Sequence, residues 1–158
     1  YIVMCENLSI PEINTAGIPD NIMKTLILDI KFNERYFKRT IHHEVFHIIN
    51  DSFKELFNEE EGIKFNNKKF KYADCSTCTK KLGLNTYTNT SGFFTEYSQS
   101  TPSEDMAETF SHIMTLSPKK LKEFNDLDYI LKNKIEFLKY RLLKIAKDFK
   151  FPEDLKQL

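Results

Sequence analysis

The sequence predicts an α+β fold: a small N-terminal sheet, one long helix after it, and a mainly helical C-terminal part. Three observations predict it. Lys24 to Phe32 is rich in β-branched residues and leucine, as a buried strand is. From Glu34 the apolar period changes, with Phe37, Ile41, Val45, Ile48, Phe53 and Leu56 recurring at helical spacing to about residue 58. Beyond residue 100, two proline-opened segments and an amphipathic run from Asp128 to about Phe149 are helical in pattern.

Residues 1 to 23 carry Pro11, Gly17 and Pro19 between short apolar runs, and read as irregular with a short strand at Ile2-Val3-Met4. The strand Lys24–Phe32 and the helix from 34 to 58 follow. Glu59-Glu60-Glu61-Gly62 ends that helix, because three carboxylates in a last turn would oppose the helix dipole. Residues 62 to 92 are polar and read as a loop-rich insertion over the surface. Gly92 to Tyr97 is a short aromatic segment. Thr101-Pro102-Ser103-Glu104 fits a capping box, with Thr101 as N-cap, Pro102 at the first helical position and Glu104 at the third. Met106, Phe110, Ile113 and Met114 give that helix its apolar face. Ser117-Pro118 opens another helix. Ile130, Leu131, Ile135, Leu138, Leu142 and Ile145 form the stripe of the last one.

The 158 residues suit one domain spanning 1–158. Lys+Arg and Asp+Glu both number 23, so no basic excess points to nucleic acid or an anionic membrane. No apolar stretch reaches the roughly 18 residues of a membrane span. A first residue of Tyr1 is expected of a trimmed or processed chain. Of the three cysteines, Cys75 and Cys78 form one C-x-x-C and Cys5 is distant. Without a second pair, a local disulfide or free thiols are expected ahead of a metal site.

The chemistry concentrates in His43-Glu44-Val45-Phe46-His47. Residues four apart in a helix lie one above the other, so two imidazoles can take two corners of a tetrahedral zinc site. Glu44 then projects beside the open corner, as in the H-E-x-x-H signature of zincin metallopeptidases. Both histidines fall off the apolar stripe, which favours a site wall. A third ligand must come from His42, His112, Cys75, Cys78 or a later carboxylate. His42 points roughly 100° away from His43. A Cys-His-His set is more often structural. Glu104 and Glu108, one turn apart on the capped helix, are the better candidates: one can bind zinc while the other holds the free N–H of a ligating histidine.

His43-Glu44-x-x-His47, followed by Tyr97-x6-Glu104-x-x-Ala107-Glu108-x-Phe110, resembles the catalytic domain of the anthrax lethal factor family and is similar to the bacterial Pro-Pro endopeptidases. The resemblance covers roughly residues 34 to 150. It implies a zincin-like (gluzincin-type) fold, with His43, His47 and Glu104 as ligands of one zinc ion (Zn2+) and Glu44 as the general base. Tyr97 would assist the oxyanion and Glu108 would support the site. It further implies a zinc endopeptidase acting as a monomer on a protein or peptide substrate. An exported bacterial protein, of toxin or effector type, fits the same group. The gap between His47 and Glu104 is longer here than in lethal factor, and the C-x-x-C lies inside the extra length. Such enzymes usually hold an extended peptide along a sheet edge, and Lys24–Phe32 is a candidate for that sheet.

Two rivals are a zincin-like partner-binding module without catalysis and a di-iron carboxylate protein built on Glu44-x-x-His47. The first would be expected to have lost Glu44 or a ligand, and this chain retains them all. The second needs another E-x-x-H, and Glu108 to His112 is spaced four apart, not three.

Overall fold

The computed structural model describes residues 1–10, 13–73, 75–76, 82–86 and 89–155, with Ile13 described in its backbone alone. Its architecture is α+β, with a three-stranded sheet followed by a mostly helical remainder. Five strands come first: β1 (Ile2–Cys5), β2 (Ser9–Ile10), β3 (Ile13–Asn14), β4 (Gly17–Asp20) and β5 (Thr25–Asp29). Five helices follow: α1 (Glu34–Ser52), α2 (Glu59–Ile63), α3 (Pro102–Thr115), α4 (Pro118–Leu127) and α5 (Tyr129–Ile145). β2 and β3 form a small antiparallel ribbon, and the main sheet runs in the order β1-β5-β4.

β5 is central, parallel to β1 and antiparallel to β4, so it has no edge to offer a peptide. The free edge nearest the long helix is β4, in a stretch expected to be irregular. Pro19 is the reason for both the expectation and its failure. Asp29 N donates to Ala16 O at 3.0 Å. By alternation Ala16 and Ile18 face β5, while Gly17 and Pro19 face outward. A proline with its missing N–H on the open side costs the ladder nothing.

α1 starts at Asn33, whose side chain accepts from Arg35 N, and it stops at Phe53 rather than near residue 58. Its expected apolar stripe is not its deepest face. Phe53 is 41% exposed, whereas His43, Glu44 and Phe46 are buried. The helix is packed on two sides, by the sheet, where Glu44 meets Gly17, and by α3, where Phe46 meets Phe110. The three glutamates expected to end α1 instead begin α2, capped by Asn58, whose side chain accepts from Glu60 N. At a helix N-terminus the dipole favours carboxylates, so the same electrostatics places them at a start.

Thr101 caps α3 as expected, its hydroxyl accepting from Glu104 N at 3.2 Å. Glu104 does not complete the box, because its carboxylate turns toward α1. α3 is the most enclosed helix, with nine consecutive buried residues from Asp105 to Ile113. Phe46, Phe57, Phe110, Ile113, Leu131 and Leu138 form the centre of the core between α1, α3 and α5.

The 62–92 stretch is not a loop lying only on the surface. Phe70 and Tyr72 pack on Phe93, and Tyr72 OH donates to Asp105 Oδ2 at 2.6 Å. Cys75 is disulfide-bonded and not a free thiol, Cys5 is free, and Cys78 lies outside the described residues. No described helix is long and apolar enough to cross a membrane.

Candidate metal centre

The i, i+4 geometry of α1 stacks His43 over His47, with ring centres 4.9 Å apart. The first turn of α3 faces them. His43 Nε2 lies 2.9 Å from Glu104 Oε2, His47 Nε2 lies 3.1 Å from His43 Nε2, and His47 Nε2 lies 3.4 Å from Glu104 Oε2. These three residues are a group able to hold a metal ion. Ligands about 2.05 Å from a tetrahedral zinc stand ~3.3 Å from one another, and the three observed separations bracket that value. Two imidazole nitrogens and one carboxylate oxygen are also a donor set that zinc accepts. The residues fit the ion.

Glu108, one turn after Glu104 on α3, sets the histidine that meets it. Glu108 is 2% exposed. His43 Nδ1 donates to Glu108 Oε1 at 3.0 Å, and Thr95 Oγ1 donates to Glu108 Oε2 at 2.8 Å. With its proton committed to Nδ1, His43 aims Nε2 at the point the three ligand atoms share. Burial opposes charge on Glu104, yet hydrogen bonds from His43 and His47 outweigh it and hold the carboxyl well below its usual range. Burial likewise disfavours the His43 cation, but Glu104 and Glu108 on either side raise its pKa well above the usual value. The two carboxylates thus favour a proton on this ring, with which a metal would compete.

Glu44 lies beside these ligands without joining them. It is 9% exposed, and burial raises its pKa. β4 comes so close that a Cβ on Gly17 would stand 2.8 Å from Glu44 Cγ. Only glycine allows that approach. Tyr97 opens a short 3-10 turn (Tyr97–Gln99), with its ring centre 5.9 Å from that of His43. Burial, then the charge of Glu104, pushes its phenol well above the usual value, so Tyr97 keeps its proton as a donor.

The remaining sequence candidates stand elsewhere. His42 is half-buried, edge-on to Phe110 at 6.2 Å. His112 is buried behind Glu108, stacked on Phe94 with ring centres 4.4 Å apart. Burial depresses its pKa to about 4. Its Nδ1–H donates to Glu108 O at 2.8 Å, so it is a neutral support and not a ligand. Reasoning from sequence missed Arg39, Asp105 and Lys134. Arg39 Nε stands 3.9 Å from Glu108 Oε1, and Lys134 Nζ donates to Asp105 Oδ2 at 2.7 Å. A lysine inside the apolar stripe of α5 was the one available signal.

No curated protein and no solved structure matches the chain. A family model described as "Putative zinc-binding metallo-peptidase" matches residues 14–142, which take in β4, His43, Glu44, His47, Glu104 and Glu108. The zinc that this description names agrees with the ligand group between α1 and α3. The chain belongs to this metallopeptidase family.

Proposed function

We propose that the chain is a zinc-dependent endopeptidase in which His43, His47 and Glu104 hold one zinc ion, Glu44 is the general base and Tyr97 serves the oxyanion. The observation that carries this reading is the convergence of three ligand atoms within 3.4 Å of one another, with a buried carboxylate beside them. When bound, zinc supplies a Lewis acid that brings the pKa of a water toward about 7. Glu44 takes the proton of the attacking water and returns it to the leaving amine. Its burial raises its basicity toward the range such a base needs. Tyr97, protonated, donates a hydrogen bond to the oxygen where charge develops. Glu108 holds Nδ1 of His43 and so fixes the ring.

The order of His43-Glu44-x-x-His47, Tyr97, Glu104 and Glu108 supports placement among zincins of the lethal factor and Pro-Pro endopeptidase type. On this reading residues 1–158 act as one catalytic domain and as a monomer. An extended peptide laid along the free edge of β4 would pair with the strand whose Gly17 packs against Glu44.

The test uses Glu44→Gln. Its zinc content by elemental mass spectrometry is expected to match wild type at one per chain. Cleavage of a peptide library, read by mass spectrometry, is expected to fall about 10²–10⁴-fold. A variant that cleaves as fast as wild type removes Glu44 from the mechanism. A wild-type protein that takes up no zinc ends the reading.

A further inference from the structure

Behind Glu108, on the side away from the ligand group, lies a cluster that the proposed chemistry does not use. Arg39 sits on α1 one turn before His43 and on the same face. Its side chain is 13% exposed. The guanidinium meets three partners. Nη2 donates to Leu84 O at 2.6 Å, Nη1 lies 3.3 Å from His112 Nε2, and Nε stands 3.9 Å from Glu108 Oε1. Because Nδ1–H of His112 is spent on Glu108 O, its Nε2 is the lone pair that accepts from Arg39. Tyr36 braces the arrangement: Arg39 Cζ lies 4.9 Å from its ring centre, and its hydroxyl donates to Asn85 Oδ1 at 2.7 Å.

We propose that Arg39 is a positioning residue for the metal centre: it fixes Glu108, through Glu108 the ring of His43, and it ties residues 82–86 to both. The inference rests on the zinc reading above. Thr95 governs Oε2 of Glu108, whereas Oε1 is shared between His43 Nδ1 and the Arg39 charge. The guanidinium is a rigid planar fork, so its bonds to Leu84 O and His112 set where that charge stands. A lysine would bring the charge without the fork. The stretch around Leu84 thereby acquires a role at the site. It is gripped from α1 by Arg39 and Tyr36, and Thr86 bridges to Thr95, which itself donates to Glu108.

The experiment measures zinc affinity of the full chain by competition with a chromophoric chelator, alongside melting of the metal-free protein. Arg39→Met is expected to weaken zinc about 10-fold, the lower end for residues that orient metal ligands. Arg39→Lys is expected to fall between it and wild type. In a Glu108→Gln background Arg39→Met is expected to add no measurable loss, because it acts through that carboxylate. Arg39→Met with wild-type affinity, whatever its melting temperature, overturns the proposal. So does an equal loss with and without Glu108. If Arg39→Met does not fold, Arg39→Lys decides, and wild-type affinity there overturns it. Wild-type protein that binds zinc while every Arg39 variant binds as tightly removes this inference alone. Wild-type protein that binds none removes the zinc reading and this inference together.

Discussion

Glu104 and Asp105 are consecutive in α3, and about 100° of helix rotation sends their carboxylates into two different regions. Asp105 meets Lys134, whose ammonium also donates to Gly92 O at 2.7 Å and lies 3.8 Å from the Phe93 ring centre. Tyr72 completes that cluster. Glu104 meets two imidazoles and no tethered cation within the group. Asp105 is buried and Glu104 largely shielded, so both are stabilised by a positive partner. One receives it as a side chain of the fold. The other receives it as a proton on His43 or as a metal ion, both exchangeable. A structural ion pair and a ligand site therefore differ in whether the cation is attached to the chain.

Glu104→Ala breaks the exchangeable side and is expected to remove measurable zinc binding in a chelator competition. Retained affinity would show that the carboxylate is no ligand. Lys134→Met attacks the tethered side. It leaves Asp105 buried without its cation and is expected to cost about 3–5 kcal/mol in urea unfolding. Zinc affinity of the folded remainder should stay at the wild-type value. A parallel loss of zinc would break the comparison and make the two regions one unit.

A smaller effect comes from His112. Its pKa is about 4 when folded against an ordinary value of 6.5, so the unfolded chain takes up the proton first on acidification. Its contribution to stability is present above pH 6.5 and is lost as pH falls toward 4, on the order of 3 kcal/mol in the metal-free protein. Urea midpoints across that window should fall for wild type and less for His112→Gln. Equal slopes would remove His112 as the source. Glu108→Ala has a milder expected effect than Glu104→Ala, weakening zinc about 10–100-fold. A loss exceeding that of Glu104→Ala would exchange the roles of the two glutamates.

The placement of the candidate ligand group was legible in the sequence where its rules are local. Four-residue spacing puts His43 over His47, and a capping signal puts Glu104 in the first turn of its own helix. The supports beyond Glu108 were not legible. Nothing short-range says that Arg39 reaches Leu84 O or that Lys134 reaches Gly92 O, since those pairs are 45 and 42 residues apart. Gly92 also has φ +93°, and a Cβ there would stand 2.6 Å from Ile130 Cγ2. Only the packed fold reveals why that glycine begins the segment carrying Thr95 and Tyr97. The strand β4 was hidden by Pro19, whose usual meaning as a breaker fails at a sheet edge. The start of α2 was hidden by charge, which marks a helix boundary without saying whether it opens or closes.

The open edge of β4, where the proposed peptide would lie, is equally open to another copy of the same chain. Along β4 the outward row lacks a donor at Pro19, so a continuous intermolecular ladder meets a missing rung there. A short guest tolerates one absent hydrogen bond. A fibril built by stacking copies along this edge would repeat the gap in every layer, so the residue that disguises β4 in the sequence also guards it against aggregation.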